Sequence, residues 1–284
     1  ATLAELLDAL AAAGPGVVLL GEVHDDQVAH RVQLLVLQHY RERCAAQGRR
    51  MVLSMEMFER DVQQVLDEYV LQRAIRKEDL LQDARPWANY VRDYQPLVEH
   101  CREHGVRVVA ANAPRRYVAL CAQHGAVALT GVKGAGGPGP SLLPPLPLPA
   151  PSGAFRRKFR EVFAPWGGDG ECPYVGFRGV DVRESGEQIL EAQLLWDHTM
   201  AQAIAGELGA GGQVLHVCGA FHCAHGLGIP EVLPGYWPPF QELREPRPWL
   251  PLDKLAGGAP DPEPTGPRPA PPGVACVVCW PANV

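Results

Sequence analysis

The chain of 284 residues predicts an α/β fold: a mainly parallel sheet covered by helices on both faces, with a smaller helical part and Pro-rich loops. Three observations predict it. Short apolar runs alternate with longer stretches of helical period, the mark of β-α-β units. Two of the runs end in one shared pattern, Gly21-Glu22-Val23-His24 and Gly219-Ala220-Phe221-His222. The composition, 46% hydrophobic and 20% charged, is that of an ordinary globular chain long enough for one large domain or two small ones.

The elements follow in order. Leu3, Leu6, Leu7 and Leu10 have helical spacing and read as a helix rather than a signal peptide. The missing initiator Met reads as a processed or trimmed chain. Val17–Glu22 is the first strand. Residues 25–47 are a long helix, with Asp25 or Asp26 as its N-cap and Val28, Val32, Leu35 and His39 on its apolar stripe. Residues 51–57 form the second strand, 60–73 the next helix, and Lys77–Asp83 a short one that ends near Pro86. Trp87, Tyr90, Val91, Tyr94, Val98 and Cys101 keep helical spacing until Gly105, and Pro96 kinks that element or starts a new one. Residues 106–111 are the third strand and 115–123 a helix after Pro114. A strongly amphipathic helix spans 188–208, and 213–220 and 275–280 are two further strands.

Gly and Pro punctuate the rest. Between 131 and 153 the chain includes Pro144-Pro145-Leu146-Pro147-Leu148-Pro149, an irregular or polyproline II loop. The expected organisation is one α/β domain over 1–245 with an insertion at 131–153. A Pro-rich segment over 246–284 then ends in a strand that joins the same domain. Both Pro-rich stretches read as low-complexity insertions rather than ligands for a Pro-binding module.

Composition excludes several classes. A net charge of −6 gives no footprint for nucleic acid. No run has the length of a transmembrane helix, and with no lipoprotein signal in view membrane attachment is undecided. Compartment is equally open: a processed soluble domain, on a membrane or within an organelle, fits. The 8 scattered cysteines do not form a disulfide scaffold pattern. Alternation puts Cys276 and Cys279 on opposite faces of a strand, so they read as core. Gly134-Ala135-Gly136-Gly137 lacks the Lys-Ser/Thr of a phosphate loop, and no Gly-x-Ser-x-Gly elbow is present.

Ligands of open α/β sheets bind at the C-terminal ends of the strands. The first strand ends in Glu22 and His24, the second carries Glu56, the third ends in Asn112 and the fourth in His222. Glycine there permits a sharp turn, and histidine offers a neutral nitrogen to a metal or a proton to a substrate. Glu56 lies between Met55 and Met57 and needs a partner if buried. Two histidines and two carboxylates make an open site for Mn, Fe, Co or Zn, with Glu22, His24, Glu56 and His222 as the metal or catalytic set. Asp197 takes a position on the apolar stripe of 188–208 where Leu is expected, and so reads as a partner behind a site histidine. His198 should face Glu191 and Gln202 on a wetter side, and His216 should be core. The bland alternative is that the carboxylates cap helices and the histidines are satisfied core residues.

Several segments together are similar to the ChaN-like haem-binding proteins, part of a superfamily with the Tiki and TraB proteins and the erythromycin esterases. They are Gly21 to Asp26, Glu56-Met57-Phe58-Glu59-Arg60, Trp87-Ala88-Asn89-Tyr90 with Tyr94-Gln95-Pro96-Leu97, Ala111 to Arg115, Gln193 through Ala201, and Gly219 to His222 leading to Pro230. The resemblance implies an α/β sandwich that binds haem, with a tyrosine ligand and a site at a homodimer interface. Tyr94 and Tyr90 are the tyrosine candidates, and His222 a further haem donor. Tiki-type relatives imply instead a metal-dependent hydrolase built on the paired Gly-x-x-His motifs and a Glu. Three functions follow as expectations: a haem or tetrapyrrole binder in transport, storage or regulation; that hydrolase; or a structural or partner-binding module with a decayed site. Whether the chain is an enzyme stays open between them. The first two require Glu22, His24, Glu56 and His222 around one cleft, the histidine rings within roughly ten ångströms, with Asn112 and Asp197 close behind.

Overall fold

Five apolar segments pair into one parallel sheet of order β3-β2-β4-β1-β5. They are β1 (Val17–Glu22), β2 (Met51–Glu59), β3 (Arg107–Asn112), β4 (Gln213–Gly219) and β5 (Val274–Val278). The helices are α1 (Gln27–Ala46), α2 (Gln63–Asp67), α3 (Lys77–Asp83), α4 (Tyr90–Asp93), α5 (Gln95–His104), α6 (Arg115–His124), α7 (Gly153–Phe163), α8 (Gly186–Gly209) and α9 (Ile229–Val232). This computed structural model describes residues 5, 7, 10, 16–132, 141–163, 186–237 and 273–279. Leu3, Leu6, the Gly134 to Gly137 run, Cys172 and residues 246–272 of the second Pro-rich stretch lie outside them.

Strand side chains alternate between two cores, as parallel strands buried on both faces require. Val18, Leu20, Leu53, Met55, Leu215 and Val217 face the core shared with α1 and α5. Val17, Leu19, Val52, Val214 and Cys218 face the core shared with α8. A third apolar cluster joins α6, α7 and the first half of α8, and the Pro-rich strap packs on it through Leu143, Leu146 and Leu148. Among the described residues no helix is long and apolar enough to cross a membrane.

Several local expectations change. The inward face of α1 carries Ala29, His30, Gln33, Val36, Leu37 and Tyr40, while Val28 is 68% and Leu35 45% exposed. The stripe expected through Val28, Val32, Leu35 and His39 is therefore displaced, because two polar residues turn inward to meet a buried carboxylate. The helix expected over 60–73 is broken into a 3-10 turn at Arg60–Val62, α2, and a wide turn at Glu68–Gln72 that stops where Arg73 adopts φ 55. Gln63 explains part of this: its amide donates to Val108 O at 2.9 Å and accepts from Ala110 N at 2.8 Å, finishing the outer edge of β3. Pro96 sits in the first turn of a new helix, α5. His198 faces no wet side. α8 is buried almost all round, and His198 Nδ1 lies 2.8 Å from Tyr236 Oη. α7, with Phe155, Phe159 and Phe163 inward, gave only a short basic cluster in the sequence.

Candidate functional site

Strand order decides which ends meet. β4 lies between β2 and β1, so the C-terminal ends of those three strands are adjacent. In the parallel register Glu22 pairs with Gly219, and Met55 pairs with Val217. The β2–β4 ladder stops at Met55, and the carboxylate of Glu56 takes over by accepting Gly219 N–H at 2.6 Å. Alternation sends Glu22 to the α1 face of the sheet and Glu56 to the α8 face. The site is thus a rim with one carboxylate on either side.

The two motif glycines serve each other. A Cβ on Gly219 would lie 2.9 Å from His24 Cε1 and 3.0 Å from Nε2. A Cβ on Gly21 would lie 2.6 Å from Cys223 Sγ and 3.1 Å from Ala220 Cα. Each glycine clears room for the other motif. This corrects the expectation of a sharp turn, since neither glycine has positive φ and Gly219 has φ −59.

On the α1 face Glu22 is 2% exposed and fully engaged. Tyr94 O–H and the Gln33 amide both donate to it at short range. His24 Nδ1 lies 3.0 Å from Oε1, and His30 Nδ1 3.3 Å from Oε2. Burial alone would raise the pKa of Glu22, but the hydrogen bonds of His24 and His30 and the charge of His24 bring it below the usual value. His24 itself is 40% exposed at its side chain. Burial opposes its protonation, but the Glu22 hydrogen bond and the charge of Glu56 outweigh that and raise its pKa. The Asn89 amide holds the His24 carbonyl at 2.9 Å, and the Trp87 ring meets the His24 ring edge-on at 4.8 Å.

On the α8 face His222 is held from both sides. Its Nδ1 lies 2.7 Å from Asp197 Oδ1, and its Nε2 lies 3.5 Å from Glu56 Oε1. Burial would lower its pKa, but Glu56 and Asp197 push it up to about 10. Burial would raise Glu56, but His222, His24 and the Gly219 N–H bring it down to about 2. Asp197 is raised by burial, which its contact with His222 only partly offsets. Lys158 of α7 fixes the loop: its Nζ donates to Phe221 O at 2.5 Å and Ala224 O at 3.0 Å, and lies 4.7 Å from the Phe221 ring centroid.

The structure therefore gathers Glu22, His24, Glu56 and His222 at one rim, with Asp197 behind His222. Asn112 does not join them. It ends the edge strand β3, pairs with Glu59 across β2, and its side chain accepts Ala113 N–H at 2.9 Å. Tyr94 and Tyr90, the tyrosine candidates for haem, are 0% and 1% exposed. Tyr94 spends its hydroxyl on Glu22, and burial together with the Glu22 charge keeps it protonated. Tyr90 packs against Phe58 in the core. His222 is 8% exposed at its side chain, with both nitrogens beside carboxylates. His216 is core as expected, its Nδ1 2.9 Å from Ser54 Oγ. His30, Gln33 and Lys158 were missed. The signal for the first two was polar residues three apart on the helix after the first strand, and Lys158 showed only as the last residue of the short basic run Arg156-Arg157-Lys158.

The family model described as "Haem-binding uptake, Tiki superfamily, ChaN" matches residues 7–233, and the chain belongs to that family. It is 28% identical over 226 residues to Protein RETICULATA-RELATED 5, chloroplastic, of Arabidopsis thaliana. That match covers 75% of this chain and 28% of the relative, so the chain spans little more than a quarter of that protein. A solved structure described as "Cofacial heme binding to ChaN of Campylobacter jejuni" aligns with a TM-score of 0.55 at 18% identity, over 80% of this chain and 77% of that one. The likeness shows a shared α/β fold.

Proposed function

We propose that this chain binds haem at the strand-end rim, in haem transport, storage or regulation, with His24 as an axial donor. Family membership and the fold shared with a haem-binding ChaN support the ligand. The observation that carries the donor is the state of His24. Glu22 clasps its Nδ1, which leaves Nε2 as the acceptor nitrogen, and it is the partly exposed histidine of the rim. The residues around it fit a flat apolar ligand. Trp87 stands edge-on against the imidazole with ring centroids 4.8 Å apart, an apolar wall beside the donor. Haem bound there would supply an iron centre, and His24 Nε2 would hold it. The chain's own part is to orient that imidazole through Glu22, Gln33 and Asn89 and to set Trp87 beside it. Titrating the protein with haemin should give a saturable Soret band that differs from free haemin. A rise that only follows free haemin sinks this reading.

One observation favours a second reading, a divalent metal used for hydrolysis. Both rim histidines have Nδ1 against a carboxylate, the arrangement that orients Nε2 toward a metal, and Glu56 stands by His222 Nε2. Against it, the rim donors do not form a set with all ligand atoms within 4.8 Å of one another among the described residues. Metal analysis of protein purified without chelators separates the two: about one ion per chain, lost in both His24→Ala and His222→Ala, supports the hydrolase.

A further inference from the structure

The last turn of α5 carries a second group of donors, remote from the rim. His100, Glu103 and His104 have the spacing i, i+3 and i+4, which puts them on one face of the helix. Their ligand atoms all lie within 4.8 Å of one another. The two imidazoles sit with centroids 4.4 Å apart and planes tilted by 60°. His100 is 9% exposed, and its Nε2 has no hydrogen-bond partner. A buried ring nitrogen is seldom left that way, and this imidazole already stands in a cluster of metal-ligating groups. Glu103 and His104 are exposed, so an ion can arrive from solvent.

The local charge is mixed but permits a cation. α5 ends at Gly105 with φ 66, and the carbonyls of a final turn carry partial negative charge. Arg73 already donates to one of them, Arg102 O, at 2.8 Å. Near His100, His104 and Arg41 oppose added positive charge, while Glu103 and Glu42 favour it.

We propose that His100, Glu103 and His104 form a surface site for a divalent ion of the zinc class. Two imidazoles and one carboxylate suit Zn²⁺, Ni²⁺ or Cu²⁺ and not the oxygen-seeking Mg²⁺ or Ca²⁺. One helix fixes all three donors, and water completes the coordination. β3 begins just after Gly105, so this site lies at the N-terminal edge of the sheet. The length of β3, roughly 20 Å, separates that edge from the rim. The site is therefore independent of haem.

The test is equilibrium dialysis of the untagged chain against Zn²⁺, with His104→Ala, Glu103→Gln and His24→Ala run beside it. His104 and Glu103 are exposed, so those variants should fold as the parent does. The expected result is one bound ion that is lost in His104→Ala, weakened in Glu103→Gln and kept in His24→Ala. Equal binding by the parent and His104→Ala, or no saturable binding by the parent, overturns the proposal. So does loss of the ion in His24→Ala, which would place it at the rim.

Discussion

On the α1 side of the rim Glu22 grips His24 by Nδ1 at 3.0 Å, and on the α8 side Asp197 grips His222 by Nδ1 at 2.7 Å. The clasps match but the surroundings do not. Glu22 is shared among Tyr94, Gln33, His24 and His30, so its charge is spread over several donors. Asp197 meets His222 through Oδ1, and its Oδ2 has no hydrogen-bond partner among the described residues. His24 keeps 40% of its side chain exposed and His222 only 8%. Two halves with the same motif therefore differ in kind, one redundant and partly open, the other tightly coupled and closed; in the proposed reading the first presents a donor to haem and the second holds the rim together.

The contrast can be broken most forcefully on the coupled side. Asp197→Ala leaves a buried imidazolium with one carboxylate in place of two, and removal of one partner from a buried ion pair costs about 3–5 kcal/mol. Urea unfolding should show a loss of that order, and a loss under about 1 kcal/mol would mean that His222 is not charged there. Gly219→Ala comes next. Its new Cβ meets the His24 ring at 2.9 Å, so the ring must move at a cost of about 1–3 kcal/mol, with weakened haemin binding.

Acidity probes the same side more gently. Glu56 is brought down to about 2, so its contribution is complete above its unfolded value of 4.5 and fades as pH falls toward 2. His222 is pushed up to about 10, so its contribution is complete below its unfolded value of 6.5 and fades as pH rises toward 10. Stability should thus peak between pH 4.5 and 6.5 and decline on the alkaline side. His222→Gln should flatten that alkaline decline, and an unchanged slope would refute the assignment. The smallest effect belongs to the redundant half. His24→Ala leaves Glu22 with Tyr94, Gln33 and His30, so thermal unfolding should shift by less than about 1 kcal/mol.

The sheet and its rim were legible because strand ends carry short chemical patterns. Glu22, His24, Glu56 and His222 each close or end an apolar run, and parallel topology does the rest. Asp197 was legible as a charge where Leu belonged. The supports were not. His30 and Gln33 face inward only because a buried carboxylate waits there, which no helical period reveals. Tyr90 and Tyr94 stood out in the sequence as tyrosine candidates for haem, and what it could not show is that Tyr90 packs on Phe58 and the Tyr94 hydroxyl donates to Glu22. Asn112 shares the edge in sequence terms, but strand order leaves it beyond β2.

The most direct test of a divided rim is the spectrum of the haemin complex in His24→Ala and in Tyr94→Phe. The division predicts a changed axial signature in His24→Ala, restored toward the parent by added imidazole, and an unchanged signature in Tyr94→Phe. A parental spectrum in His24→Ala together with an altered one in Tyr94→Phe would contradict it.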